Sequence, residues 1–243
     1  MQLLWNMEQD NTHRRMPVVT AHMEPSEEKV GRAESKQRRE LNKAFVLALK
    51  KRAKGTAWRI SQGVLFQNFS GWFVAAPAAV WAERRRAQIE LLCKPMGLDP
   101  IFWEIVETES NDAMPLSFRY HGAWTCRTPA LVEHGLDERS GDAATIAAEA
   151  ITWLDAQVGQ FKSWSMEHFL QILQGHPRAT SYMATIVTTM FMLGDYAPAE
   201  GLCRDAMARG DSCGFSVGSL SGASRSFPEL ALAWLERKRG LWH

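Results

Sequence analysis

The sequence lacks the short motifs that usually mark a nucleotide or metal site. It contains no GxxxxGK[ST] loop and no GxGxxG segment after a predicted strand, which are the two common glycine-rich cradles for phosphate. Its seven histidines are dispersed and form no HxxxH or HExxH pair, so no closely spaced metal ligands occur. We therefore predict neither a cofactor nor a metal site.

Long apolar runs, a strong net charge and closely spaced cysteines are missing as well. No run of about 18 apolar residues occurs, so no segment is predicted to span a bilayer. The formal net charge of +1 gives the chain no overall field toward nucleic acid or an anionic membrane. The four cysteines have no repeated spacing, which favours a reduced, cytoplasmic compartment.

The chain does contain enough apolar residues to form a core. Hydrophobic residues make up 46% of its 243 residues, which fits one large domain or two small ones. Ten tryptophans are many for this length. We expect some of these rings in the core and others on a recognition surface.

The N-terminal part is predicted to hold a tail and a basic helix. Residues 1–34 are polar and show no sustained period, which predicts a flexible tail. Residues 35–54 place Leu41, Phe45 and Leu49 at helical spacing on an otherwise basic surface. This pattern predicts one amphipathic helix with a cationic outer side.

Three short segments that follow are predicted to form a meander of antiparallel strands, and a fourth segment is predicted as a further, central strand. The three meander segments are rich in aromatic residues and β-branched in places, and Gly63 and the Ser70-Gly71 pair separate them as turns. They are residues 58–61, 64–69 and 72–76, and the further strand is residues 87–94.

Two further segments are predicted as strands. Residues 101–108 fit either a strand or the start of a helix, and their length and residue types favour a strand. Residues 116–127 are the last predicted strand, with a bulge at Gly122.

From residue 140 onward the pattern is helical. Asp142 is the predicted N-cap of a helix that ends near Ser163, and shorter helices are predicted at 165–174 and 228–238. Strands in one block and helices in another predict an α+β fold, with a basic helix and a largely antiparallel sheet before a C-terminal helical unit. The predicted domains are a flexible tail at 1–34, an α+β sheet domain at 35–139 and a helical subdomain at 140–243 packed on it.

Residues 180–211 are predicted to form two short amphipathic helices joined by a tight turn at Leu193-Gly194-Asp195. Eight of its positions resemble a single tetratricopeptide repeat in register, and these are Met183, Ile186, Met190, Gly194, Asp195, Tyr196, Ala199 and Ala206. Val187 and Asp211 depart from the family, which has glycine and proline there. No second copy occurs, and solenoids need several stacked units. The resemblance therefore implies a small helical unit rather than a peptide-binding superhelix.

The predicted strand at 116–127 carries the favoured binding surface. Alternation places Arg119 and His121 on the same face, with Trp124 nearby. Charged, titratable and aromatic side chains together make a recognition patch, and the alternative is the polar, solvent-facing side of a half-buried sheet. The predicted binding residues are Arg84, Arg85, Arg86, Trp103, Arg119, His121 and Trp124.

Two patterns are weak signs of catalysis. Residues 214–218 spell GxSxG, but that motif needs a strand before it and a helix after it, and here a helix precedes and a Gly/Ser loop follows. Four acidic residues fit either a general acid and base or a solvated chain end, and these are Glu104, Glu107, Glu109 and Asp112. We predict no catalytic residue.

These patterns together predict a cytoplasmic, non-enzymatic protein that binds another protein, in one form by neutralising or escorting a toxin or effector. The second hypothesis is nucleic-acid binding through the basic helix. Its contact residues would be Lys36, Arg38, Arg39, Lys43, Lys50, Lys51 and Arg52. The third hypothesis is a hydrolase with a site near Arg119 and His121. No membrane partner is predicted.

Overall fold

The computed structural model describes residues 31–81, 86–137, 142–218 and 224–240. Within these ranges one helix is followed by four strands and then mainly by helices, which confirms the predicted α+β fold. All but the last four residues of the predicted tail, and the predicted binding residues Arg84 and Arg85, lie outside the described residues.

The described residues form eight α-helices and seven strands. The helices are α1 (Arg32–Ala53), α2 (Leu98–Ile105), α3 (Phe118–His121), α4 (Ala143–Val158), α5 (Met166–Gly175), α6 (Met183–Leu193), α7 (Tyr196–Ala208) and α8 (Phe227–Gly240). The strands are β1 (Arg59–Ser61), β2 (Val64–Phe69), β3 (Trp72–Trp81), β4 (Arg86–Pro95), β5 (Val132–Gly135), β6 (Ser216–Gly218) and β7 (Ser224–Ser226).

Strands β1 to β5 form one antiparallel sheet in chain order. The first two connections are two-residue turns at Gln62-Gly63 and Ser70-Gly71, and all four residues have positive φ. Such turns match the twist of paired strands, and they need residues that tolerate left-handed backbone. The glycines predicted as turns therefore set the register of the meander.

One face of this sheet packs on α1 and α4. Its side chains Leu65, Val74 and Ile89 are fully buried with Phe45 and Leu49 of α1 in a single apolar cluster. The Asn42 side chain of α1 also accepts a hydrogen bond from the Val80 amide of β3 at 2.9 Å. Helix α1 therefore has one side committed to the sheet and the other free to face solvent.

The opposite face of the sheet has a smaller apolar cover. Val64, Phe66, Phe73 and Ala75 form a second buried cluster, against which Met96, Leu116 and Tyr120 pack. Apart from Met96, which precedes α2, this cover comes from the chain after α2. The folding of residues 115–128 therefore largely decides what lies over the second face.

The structure corrects two strand predictions. Residues 101–108 mostly belong to α2, because an eight-residue segment that is apolar on nearly every side fits both helical and strand periods. Residues 116–127 form the single turn α3 followed by irregular chain, and β5 takes the sheet position instead. Gly122 is no bulge, because it ends α3 and its amide donates to the Phe118 carbonyl at 2.7 Å. An added Cβ would lie 2.5 Å from that carbonyl oxygen, so the position has no room for a side chain.

The helical predictions are confirmed in the second half of the chain. The Asp142 carboxylate caps α4 by accepting from the amides of Ala144 and Thr145. Helices α6 and α7 form the predicted hairpin, and Gly194 between them has φ 82°. The amide of Asp195 donates to the Met190 carbonyl at 2.9 Å, which is the bond of a Schellman stop.

Gly194→Ala should lower the free energy of unfolding by about 1–2 kcal/mol, because a Cβ in the left-handed region is strained even where space is open. The matched control is Gly201→Ala, an exposed glycine inside α7. This substitution should raise stability by about 0.5–1 kcal/mol through backbone entropy. Urea titrations of both variants test the pair, and equal shifts of the same sign would contradict this assignment of the turn.

Candidate functional site

A buried carboxylate, Asp99, lies at the centre of the candidate site. Asp99 is in the first turn of α2 and has no exposed surface. Its Oδ1 accepts from Lys94 Nζ at 2.8 Å and from the Cys126 amide at 3.0 Å, and its Oδ2 accepts from Arg119 Nη1 at 3.1 Å. One carboxylate thus neutralises part of the charge of two neighbouring cations. Asp99, Lys94 and Arg119 are called the Asp99 cluster below.

Lys94, near the end of β4, is almost completely buried. Its ammonium group donates to Asp99, to the Arg119 carbonyl at 2.7 Å and to the Cys126 carbonyl at 2.8 Å. An ammonium has three protons to donate, and all three have acceptors here. The geometry therefore gives Lys94 a positioning role, because its bonds join the sheet to the segment that contains Arg119 and Cys126.

Arg119 belongs to the one-turn helix α3 and completes the cluster. Its guanidinium donates to the Met96 carbonyl at 2.9 Å and lies 5.3 Å from the centre of the Trp103 ring. The Trp103 indole N–H in turn donates to the carbonyl of Trp124. Arg119 is therefore held by a carboxylate, a carbonyl and an aromatic face.

These bonds fix the irregular chain between α3 and β5. The Cys126 amide and carbonyl both bond to the Asp99 cluster, and the Thr185 hydroxyl of α6 donates to the Arg127 carbonyl at 2.6 Å. Chain without regular structure has no ladder for its polar groups, so side chains must supply the partners. Buried ions on the sheet and α2, and a hydroxyl on α6, supply them here.

A cavity of about 420 Å³ lies between this chain and the second face of the sheet, and it is called the sheet pocket below. Its lining comes from β3 and β4, from the α3 region and from the start of α6. The lining residues are Phe73, Ala75, Leu92, Cys93, Lys94, Arg119, Tyr120, Thr125, Cys126, Arg127, Thr128, Ser181 and Tyr182.

The sheet pocket has a positive lining. Lys94, Arg119 and Arg127 contribute cations, and no carboxylate is among the lining residues. Burial raises the pKa of the Tyr120 phenol, and the nearby charge of Glu90 raises that pKa further. Tyr120 therefore stays a neutral hydroxyl at physiological pH.

The predicted binding residues are only partly brought together. Arg119, Trp103 and Trp124 meet in or beside the Asp99 cluster, with the Trp103 side chain almost fully buried. The Nε2 atom of His121 lies 2.9 Å from the Ser61 carbonyl oxygen. Arg119 and His121 do not share a strand face, because residues two apart on a helical turn point about 200° apart. Arg86 begins β4.

Sequence reasoning missed Lys94 and Asp99. A signal for them exists, because Lys94 lies near the end of a strand that is otherwise apolar in its second half, and Asp99 follows five residues later. A charge in such a buried run needs an opposite charge close by. That pairing could have been predicted, whereas the contribution of Arg119 depends on the fold.

Two residues of the acidic run form ion pairs between elements of the fold, and the GxSxG sequence does not adopt the geometry of a nucleophile elbow. Glu104 accepts from the Trp234 indole N–H and lies 2.9 Å from Lys238 Nζ, so it joins α2 to α8. Glu107 lies 3.4 Å from both Arg225 and Arg237. Ser216 begins the short strand β6, so it does not occupy the strand-to-helix turn of a nucleophile elbow.

Comparisons of the chain with protein-family models, with curated proteins and with solved structures give no significant match. The tetratricopeptide resemblance of residues 180–211 therefore stays a prediction, although the helical hairpin itself is observed. In the described ranges no helix is both long and apolar enough to cross a membrane.

All four cysteine thiols should be unreactive in the native protein. They are free and buried, and burial raises each pKa, to about 12 for Cys203 and to about 11 for Cys213. The thiolate is the reactive form, so at pH 8 Ellman's reagent should react slowly with the native chain and fast in denaturant. Rapid reaction of any native thiol would contradict this burial.

Asp99→Asn should lower the free energy of unfolding by about 3–5 kcal/mol, because the buried Lys94 and the largely buried Arg119 lose their shared anion. Asp112→Asn is the matched control, since its exposed carboxylate lies 4.0 Å from Arg119 Nη2. The control should change stability by less than about 0.5 kcal/mol. Equal denaturation midpoints for the two variants would show that the cluster does not stabilise the fold.

Proposed function

We propose that this chain is a cytoplasmic, non-enzymatic protein that binds an acidic surface of another protein through the exposed face of α1. Neutralising or escorting a toxin or effector is one form of such a role. The observation that carries the proposal is a stripe of cations along the solvent side of α1.

The stripe follows the helical period. Its residues are three, four or seven positions apart, so they share one side of a helix. They are all exposed, and they are Arg32, Lys36, Arg39, Lys43, Leu47, Lys50 and Lys54. This set is called the basic stripe below, and Phe45, Leu49 and Ala53 on the opposite side are buried against the sheet and α4.

The charge of the stripe contrasts with that of the remaining chain. Residues 32–54 contain nine Lys and Arg against two Glu, a net of +7, whereas the whole chain has a net charge of +1. The remainder therefore carries −6. Such an asymmetric distribution steers an anionic partner toward α1.

Two features favour a protein over nucleic acid as this partner. Leu47 lies in the middle of the basic stripe and is 68% exposed, which offers an apolar contact that a phosphate backbone does not use. The acidic remainder also opposes a long polyanion that extends past the helix, but it does not oppose a short acidic segment. Nucleic-acid binding is the second candidate, and it rests on the same cations.

The predicted nucleic-acid contacts are not all available on this surface. Arg38 is buried, so its guanidinium is not part of the basic stripe. Lys51 and Arg52 are exposed on the flank of the stripe. The hydrolase hypothesis gains no specific support, because Arg119 is bonded within the Asp99 cluster and His121 contacts a backbone carbonyl.

The double variant Lys43→Glu/Lys50→Glu should weaken binding of an Asp/Glu-rich peptide with a central leucine by at least about tenfold, because it reverses two contact charges. The matched control is Arg178→Glu/Arg209→Glu, which reverses two exposed arginines elsewhere and should leave the affinity within about twofold. Leu47→Asp should also weaken binding. Fluorescence anisotropy with the labelled peptide measures all of these.

A mixed-sequence DNA or RNA duplex is the competing probe for the same variants. Tight duplex binding that falls steeply with salt and ignores Leu47→Asp would replace the protein-binding proposal with the nucleic-acid one. Equal peptide affinity in the two double variants would show that the basic stripe is not the contact surface.

A further inference from the structure

We infer that the sheet pocket is a second binding site, which takes a small molecule with an anionic group on a flat apolar body. This inference does not rest on the proposed function. The basic stripe belongs to α1, which packs on one face of the sheet, whereas the sheet pocket lies on the opposite face. The two surfaces can therefore be tested separately.

The floor and sides of the sheet pocket suit an apolar ring. Phe73, Ala75 and Leu92 lie on neighbouring strands and form the apolar floor. Tyr120 and Tyr182 line the sides. A volume of about 420 Å³ falls in the range of small-ligand pockets, roughly 300–1,000 Å³.

Hydrogen-bond donors around this floor are free for a ligand. The hydroxyls of Thr125, Thr128 and Ser181 and the guanidinium of Arg127 line the pocket, and none makes a hydrogen bond to another described residue. Arg127 is exposed at the pocket and can place two N–H donors on one carboxylate or phosphate. These groups give the pocket a polar side opposite its apolar floor.

The charge of the pocket selects the sign of the ligand. The Lys94 ammonium and Arg119 Nη1 are bonded to Asp99 and to backbone carbonyls, so these groups contribute charge rather than free donors. Asp99 lies behind them, and the exposed Asp112 carboxylate lies 4.0 Å from Arg119 Nη2. These two carboxylates offset much of the charge of Lys94 and Arg119, so the positive charge left at the pocket is mainly that of Arg127. Glu90 is the carboxylate that acts on Tyr120, and it is not part of the lining. The remaining positive charge favours an anion and disfavours a cation.

The direct experiment is calorimetry of the full chain with three ring probes: phenyl phosphate, benzoate and benzylamine. We expect phenyl phosphate or benzoate to bind with a Kd of about 1 mM or tighter, and benzylamine to bind at least about tenfold more weakly. The tighter of the two anions identifies the anionic group, and either order supports the inference. Similar binding of benzylamine, or no anion binding at about 10 mM, would overturn it.

Variants then locate the binding. Arg127→Gln should weaken the better anion by about tenfold or more because it removes the bidentate charged donor. The matched control, Arg209→Gln, removes an exposed arginine at the end of α7 and should leave the affinity unchanged. Ser181→Trp should also weaken binding, since its ring occupies space at the lining. Unchanged affinity in both pocket variants would show that the anion binds elsewhere.

Discussion

The site depends on the ion pairs and hydrogen bonds that the buried Asp99 carboxylate accepts from Lys94, Arg119 and the Cys126 amide. A buried ion is stable only when its opposite charges and hydrogen-bond partners are supplied by the fold, so it constrains every element that supplies them. Here β4 supplies Lys94, α3 supplies Arg119, and the chain after α3 supplies the Cys126 amide. The Asp99 carboxylate thus holds β4 next to the segment from Arg119 to Cys126, although Lys94 and Arg119 are 25 residues apart in sequence.

This arrangement explains how an irregular segment can form one wall of a pocket. The chain from Ala123 to Thr128 belongs to no strand or helix. It is fixed instead by Lys94, by the carboxylate and by the Thr185 hydroxyl of α6. The sheet supplies a flat apolar floor, and the bound segment supplies the polar rim. The open face of the sheet thereby becomes a concave surface.

Much of the fold could be predicted from the sequence where the pattern was local. The basic helix has one apolar side at helical spacing, and the turns at Gly63 and Gly71 need left-handed backbone, so both were identified correctly. The Gly194 turn and the Asp142 cap have equally local causes. The α+β fold class followed from the order of these elements.

The site could not be predicted to the same extent, because its residues are defined by long-range contacts. The segment at 101–108 is apolar on most sides, so its period did not distinguish a strand from α2. The segment at 116–127 alternates like a strand, yet its Arg119 is drawn to Asp99 and Trp103. Tertiary pairing of a buried charge decided the local structure there.

Amide hydrogen exchange at Cys126 tests the role of Asp99 most directly, since this amide donates to the carboxylate itself. In Asp99→Asn the Cys126 amide should exchange at least about tenfold faster relative to the sheet amides of β2 and β3, because a neutral amide is a weaker acceptor and the segment loses its anchor. The Asp112→Asn variant should leave this ratio unchanged. Equal protection of Cys126 in both variants would contradict the conclusion that the buried carboxylate holds the pocket wall.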